Sequence, residues 1–163
     1  GWGQFDARQV TQELQKLDAT RQIDHASGYF DQGAGDFHSY HIYFKRFSPK
    51  PDKHNRILAL TEFGGYSLPS EGHMTTKANY GYKLYNNKEA LERAFRQLYE
   101  QDVFPSISKG LAALVYTQVS DVEDEINGLF TYDRKVVKMD IDGVRELNDD
   151  LYKAFDKGAY WTV

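Results

Sequence analysis

Hydrophobic residues are concentrated in the run Ile57–Leu60, which passes through Thr61 into a single carboxylate, Glu62, and two glycines. An apolar run without polar alternation is typical of a strand buried on both faces, as in a parallel sheet. Leu111–Gln118 is a second such run, and Phe37–Phe44 alternates as a half-buried strand does. Glu62 is therefore expected at the carboxyl end of a parallel strand, where α/β folds place their active sites.

Apolar residues also recur at helical spacing in three segments, which we expect to be helices with one buried face. Asp6 and Asn87 are predicted to cap the first two helices, and Asp142 or Gly143 to open the third. The three stripes are Val10, Leu14 and Leu17; Leu91, Phe95 and Leu98; and Val144, Leu147, Leu151 and Phe155. Alternating strands and helices indicate an α/β fold. A closed eight-stranded barrel needs roughly 250 residues, so the pattern leaves open a small open sheet or part of a barrel.

Composition narrows the class of protein. The 163 residues fit one domain, residues 1–163. A net charge of −4 without a basic stripe argues against a nucleic-acid partner. We find no apolar run long enough to cross a membrane and no signal peptide. The absence of cysteine leaves the compartment open but fits the cytoplasm. The aromatic content of 15% suits either a sugar-binding cleft or a tyrosine-rich core.

Strand parity places His41 and Tyr43 on one face of the Phe37–Phe44 strand and His38 on the other. A tyrosine hydroxyl on that face can donate to a carboxylate such as Glu62, although burial for packing is the alternative for both side chains. The alternative to a functional role for Glu62 is a structural one, as a strand-end carboxylate paired with an Arg or Lys side chain. Because the histidines point apart and the chain lacks cysteine and HExxH, we expect no metal and no cofactor.

Two further motifs lie after the second apolar run. The acidic residues Asp121 and Glu123–Glu125 do not match a calcium-binding loop, so a solvated loop is predicted. Asn127-Gly128 predicts a tight turn between two short strands.

Several blocks, in their order and spacing, carry a resemblance to a known family. They are Ala26–Tyr29 with Gly35–Asp36, His41-x-Tyr43, Thr61–Gly65, Tyr116–Glu123, Asn127–Leu129 and Thr131–Arg134. The chain resembles the C-terminal half of the catalytic barrel of glycoside hydrolase family two, the β-galactosidase and β-glucuronidase superfamily. The resemblance covers nearly the whole chain. It implies a partial (β/α)8 TIM barrel, roughly strands five to eight with their helices.

The resemblance implies a carbohydrate substrate and retaining hydrolysis, in which one carboxylate attacks the anomeric carbon and a second acts as acid and base. Glu62 would be the nucleophile, and Tyr43 would orient its carboxylate. The residues implied to line the sugar subsite are His41, Asp36, Trp2 and Gln118. Gln118 stands where many relatives carry an aromatic residue.

The same resemblance implies that the acid/base glutamate lies immediately before Gly1-Trp2-Gly3. The chain is then expected to be a truncated barrel that is nearly inactive on unactivated glycosides. We also expect self-association, because missing strands would leave open sheet edges. Two other functions stay open at this point. One is a non-catalytic carbohydrate-binding module that uses the aromatic-rich Gly64–Asn86 loop, and the other is a structural α/β domain.

Overall fold

The computed structural model describes residues 5–25, 28–77 and 80–158 of the chain. The strands are β1 (Phe37–Ile42), β2 (Ile57–Gly64), β3 (Tyr66–Ser67), β4 (Lys83–Leu84) and β5 (Leu111–Thr117). The helices are α1 (Ala7–Leu17), α2 (Lys88–Leu98), α3 (Phe104–Ile107) and α4 (Ile141–Gly158). A π-helical turn, Tyr99–Val103, joins α2 to α3. The predicted mixed α/β class is confirmed.

The central feature is a parallel sheet in the order β1-β2-β5, so strands adjacent in the sheet also follow one another along the chain. Each of the three strands matches a run that the hydrophobic pattern predicts. A second, two-stranded parallel sheet pairs β3 with β4. Across the described residues the main sheet stays open, with β1 and β5 as its outer strands.

One hydrophobic core lies between the sheet and the helices that follow β2 and β5. Leu60 and Phe63 of β2 contribute to it from the sheet. Its helical side includes Leu91, Phe95, Tyr99, Val103, Leu147 and Leu151. Asn87 caps α2 as predicted, because its Oδ1 accepts a hydrogen bond of 2.8 Å from the Ala90 amide. This arrangement fixes the carboxyl ends of β1, β2 and β5 at one edge of the molecule.

The prediction for the first helix is only half right. Its position is correct, but Asp6 lies in the left-handed region (φ 52°) and makes no side-chain cap. The stripe of Val10, Leu14 and Leu17 is exposed rather than buried. The helical spacing is therefore present in the sequence without a described partner surface to cover it.

The loop from Gln118 to Met139 is pinned by a buried ion pair. Lys138 Nζ donates to Asp121 Oδ1 at 2.6 Å, to the Ile126 carbonyl at 2.9 Å and to the Leu68 carbonyl at 3.2 Å. Both charged side chains are almost wholly buried. Burial lowers the pKa of Lys138, and its hydrogen bond to Asp121 opposes that shift. Lys138 thus links two segments of the Gln118–Met139 loop and joins that loop to Leu68, which follows β3.

One prediction for this loop is only partly right and another is wrong. Glu123 and Asp124 of the acidic run are exposed as expected, but Asp121 is buried and paired with Lys138. The expected tight turn at Asn127-Gly128 does not join two strands, since Asn127 is fully buried and only isolated bridges flank it. Asn127 is needed inside the loop, where its Oδ1 accepts from Gln118 Nε2 at 2.6 Å.

No helix in the described ranges is both long enough and apolar enough to span a membrane.

Candidate active site at the carboxyl edge of the sheet

A β-bulge aims Glu62 away from the helix-packed core. In the β1–β2 pairing, Tyr40 is opposite Leu60 and His41 is opposite Glu62, so Thr61 is an extra residue on β2. A one-residue shift exchanges the two faces of a strand. Leu60 and Phe63 therefore both enter the core, and Glu62 projects from the opposite face. Bulges that redirect a side chain are common beside active sites.

The Glu62 carboxylate is held through one of its two oxygens. The Tyr43 hydroxyl donates to Oε2 at 2.8 Å, and Nδ1 of His41 lies 3.2 Å from the same atom. The contact between Tyr43 and Glu62 that strand parity predicts is therefore present. The Glu62 side chain is 44% exposed, and no hydrogen bond to Oε1 is formed by the described residues. Within the described part of the chain, one oxygen is thus fixed and the other accepts no hydrogen bond.

The two groups beside Glu62 have shifted protonation equilibria. Burial, strengthened by the hydrogen bond that Tyr43 donates to Glu62, raises the pKa of the Tyr43 hydroxyl well above its ordinary value. Burial lowers the pKa of His41, and the Glu62 charge opposes part of that shift. At neutral pH Tyr43 is therefore a protonated donor. His41 is a mostly neutral imidazole that does not place a full positive charge on the carboxylate.

Tyr43 is itself fixed by its neighbours. Its hydroxyl is 3.1 Å from Thr117 Oγ1 at the end of β5. Its ring stacks on Tyr82, with 3.6 Å between centroids and 6° between planes. Gly65 makes this stack possible, since it has φ 63° and any Cβ there would clash with the Tyr82 ring. Residues from the ends of β1, β2 and β5 thus converge on one carboxylate.

Gln118 lies at the same edge of the sheet, directly after Thr117 and joined to it by a cis peptide bond. Its amide nitrogen donates to Asn127 Oδ1 at 2.6 Å and to Glu125 Oε2 at 3.2 Å. The side chain is therefore turned toward the Gln118–Met139 loop. The structure places Gln118 near the site, with its donors engaged by that loop.

Asp36 is not part of this site, which corrects the role that the resemblance implies. It lies immediately before β1, at the amino end of the strand, whereas His41 is at the carboxyl end. Five residues of extended chain separate the two by roughly 16 Å. The Asp36 carboxylate accepts a hydrogen bond of 2.7 Å from the Ile23 amide and so has a structural partner. Trp2, the other implied subsite residue, lies outside the described residues.

One cluster in the described ranges has the residue types of a metal site. Asp31, His38 and Asp52 offer ligand atoms within 4.8 Å of one another. However, Arg56 Nη2 lies 2.6 Å from Asp31 and 2.8 Å from Asp52, which neutralises much of their charge. His38 and Asp52 are also at the amino end of the sheet, away from Glu62. The arrangement is that of a structural ion-pair cluster.

The sequence did not single out Tyr29, Tyr82 and Thr117 as site residues. Burial and the Glu62 charge raise the pKa of Tyr29, whose ring meets His41 edge-on at 5.2 Å. Tyr82 lies 20 positions after Glu62 along the chain, so spacing cannot connect them. For Tyr82, the only sequence signal was the aromatic richness of the Gly64–Asn86 loop.

A scan against protein-family models finds no match to this chain, and a search of curated proteins finds no significant relative.

Proposed function

We propose that this chain is part of a retaining β-glycosidase and that Glu62 is its nucleophile. The observation that carries the proposal is the geometry of Glu62: Oε2 is held by Tyr43 and approached by His41, and the side chain is 44% exposed. A carboxylate nucleophile must be ionised, oriented and accessible to attack an anomeric carbon. The bulge at Thr61, which turns Glu62 out of the core, adds support.

In the proposed reaction, Glu62 Oε1 attacks the anomeric carbon as the bond to the leaving oxygen breaks, which gives a covalent glycosyl-enzyme. Water then releases the sugar and regenerates the carboxylate. The proton for the leaving oxygen comes from a second carboxyl group, roughly 5–5.5 Å from the nucleophile in retaining enzymes. We propose that a carboxyl group outside the described residues supplies it, as the resemblance implies. The partner is thus a carbohydrate and the proposed compartment is the cytoplasm.

The fold supports the finer proposal that the chain is the C-terminal half of a TIM barrel. Parallel strands in chain order are what such a barrel requires, and the candidate site lies at their carboxyl edge. The connection from β1 to β2 lacks a helix, which departs from the simple βα repeat. The exposed stripe of α1 is the surface that the rest of a barrel would cover.

The test uses β-glycosides whose leaving group, dinitrophenolate, departs without an acid. The chain is mixed with glucoside, galactoside, mannoside and glucuronide forms, and absorbance is followed from the first milliseconds. We expect one sugar to release about one equivalent of dinitrophenolate per chain in a burst, followed by slow turnover. If no sugar gives a burst, the proposed function is wrong.

Tyr43→Phe is expected to slow this burst by about 10- to 100-fold. The variant keeps the ring that stacks on Tyr82 and loses the hydrogen bond to the carboxylate. A hydrogen bond to a charged group is worth about 1.5–3 kcal/mol, and about 1.4 kcal/mol corresponds to a factor of ten in rate. Tyr132→Phe, which removes the hydroxyl of an exposed tyrosine remote from Glu62 in sequence, is the control. A Tyr43→Phe burst at the wild-type rate would show that the contact is only structural.

Self-association is expected through the edge at β5. A groove of about 660 Å³ runs beside this strand, with a lining that includes Leu111, Leu114, Leu151 and Phe155. Sedimentation velocity should show a molecular mass that rises with concentration. Val115→Lys, a charge on the exposed face of β5, should shift the chain toward monomer, whereas Gln97→Lys on α2 should not. A monomer at every concentration would count against this prediction.

A further inference from the structure

A cluster of three aromatic side chains, the exposed Phe44 and Tyr80 and the partly buried Tyr82, adjoins the candidate site; we call it the aromatic rim. The Phe44 and Tyr82 rings meet edge-on at 5.2 Å, and the Tyr80 and Tyr82 rings at 5.8 Å. Phe44 is 80% exposed and Tyr80 is 51% exposed. An apolar patch of this kind on a protein surface is typical of a binding site.

The rim continues directly from the Glu62 carboxylate. Tyr82 stacks on Tyr43 at 3.6 Å, and Tyr43 donates to Glu62 Oε2 at 2.8 Å. Burial raises the pKa of Tyr82 to about 12, and the neighbouring Tyr80 adds to that shift. The Tyr82 hydroxyl therefore stays protonated at neutral pH and serves as a neutral hydrogen-bonding group. A ligand that reaches Glu62 meets an apolar wall with polar edges.

The backbone on the Phe44 side of the rim is anchored. Arg46, two residues after Phe44, forms an ion pair with the buried Asp102, and its Nη2 donates to the Gln101 carbonyl at 2.6 Å. The Phe47 amide donates to Asp102 Oδ2 at 3.3 Å. Together with the hydrogen bonds of Tyr43, these contacts hold Phe44 in place while its ring faces solvent.

The Tyr80 and Tyr82 side of the rim is anchored by backbone hydrogen bonds to the Gly64–Asn86 loop and to the Gln118–Met139 loop. The Tyr82 amide donates to the Gly65 carbonyl at 3.3 Å. The Tyr80 amide donates to the Asp124 carbonyl at 2.6 Å, and the Tyr80 carbonyl accepts from Ile126 at 3.2 Å. Aromatic side chains held in advance lose little conformational freedom when a ligand covers them.

We propose that the aromatic rim is the subsite for the leaving group, and that this leaving group carries a ring. The proposal rests on the proposed function, because it assigns the rim to the substrate of Glu62. The shared chemistry is a flat apolar face, which both a pyranose ring and an aryl group present to aromatic side chains. Phe44 and Tyr82 would stack on the ring, and the hydroxyls of Tyr80 and Tyr82 would bond to its edge. The substrate class is then a disaccharide or an aryl glycoside rather than an alkyl glycoside.

The test measures affinity in Glu62→Gln, which cannot turn over, so that binding is observed apart from catalysis. Methyl glycosides, phenyl glycosides and β-linked disaccharides of the four sugars are titrated by calorimetry. For at least one sugar, we expect a ring-bearing ligand to bind about tenfold more tightly than its methyl glycoside. The disaccharide and the phenyl glycoside show which ring the rim prefers.

Rim variants decide whether this preference arises at the rim. Phe44→Ala and Tyr82→Ala, each combined with Glu62→Gln, are expected to remove the preference. Phe44→Ala is also expected to leave methyl glycoside binding unchanged. Phe44→Ala is the cleaner of the two, because Phe44 does not contact Tyr43 in the way Tyr82 does. Tyr152→Ala, which removes another exposed aromatic ring from α4, is the matched control and should keep the preference.

The proposal is overturned if ring-bearing ligands bind no better than methyl glycosides, or if the preference survives both rim variants. These outcomes are distinguishable from a failure of Glu62 as the proposed nucleophile. A dinitrophenolate burst without a ring preference supports Glu62 as the nucleophile and excludes the rim as the leaving-group subsite. A preference lost in Phe44→Ala without any burst locates ring binding at the rim, but it overturns both the catalytic proposal and the assignment of that ring to a leaving group.

Discussion

Glu62→Gln is expected to abolish the dinitrophenolate burst, with a fall in rate on the order of 10⁴-fold or more. The amide has nearly the same shape as the carboxylate but no negative charge, so no covalent intermediate can form. Tyr43 can still donate to the side-chain oxygen of the new amide, which keeps the surrounding structure in place. The loss would therefore report on chemistry rather than on folding.

A matched variant and a rescue experiment sharpen this prediction. Glu71→Gln makes the same chemical change at an exposed position of the loop after β2 and should keep the wild-type burst. Glu62→Gly opens a space where the carboxylate was, and added azide should restore dinitrophenolate release by attacking the sugar directly. A Glu62→Gln chain that still gives a burst would exclude Glu62 as the nucleophile.

Lys138→Met is expected to lower the free energy of unfolding by about 3–5 kcal/mol, because it leaves the Asp121 carboxylate buried without its cation. The variant also removes the hydrogen bonds from Nζ to the carbonyls of Leu68 and Ile126. Urea denaturation followed by circular dichroism measures the change. The double variant Lys138→Met/Asp121→Leu should recover part of the loss, since it removes the uncompensated charge as well.

The control for this prediction is Lys153→Met. Lys153 pairs with Asp150 at 2.9 Å, but both side chains are well exposed. Exposed pairs contribute about 0–1 kcal/mol. If Lys138→Met and Lys153→Met change the free energy of unfolding equally, the buried pair does not stabilise the Gln118–Met139 loop as described.

The hydrophobic pattern was sufficient to predict the main sheet and the position of Glu62. Runs such as Ile57–Leu60 must be buried whatever surrounds them, so their strands follow from local sequence. The contact between Tyr43 and Glu62 also followed from parity, because alternate side chains share a face. The bulge at Thr61 did not, since a one-residue shift depends on how β2 pairs with both neighbours.

Predictions failed where the deciding partner is distant in sequence. Nothing near Asp121 identifies Lys138 as its partner, so the acidic run appeared to be a solvated loop. Asp36 was assigned from the resemblance alone, and its position before β1 places it at the wrong end of the strand. For α1 the local prediction succeeded, because the apolar spacing correctly placed a helix. The prediction that its stripe is buried failed, since no described residue covers that stripe.

The most direct test of the central claim is to trap the sugar on the chain. A 2-deoxy-2-fluoro dinitrophenyl glycoside of the sugar that gives the burst should form a stable glycosyl-enzyme, since fluorine slows its hydrolysis. Intact mass spectrometry should show the addition of one sugar, and peptide mapping should place it on Glu62. Labelling of a different carboxylate, or equal labelling of Glu62→Gln, would contradict the assignment of Glu62 as the nucleophile.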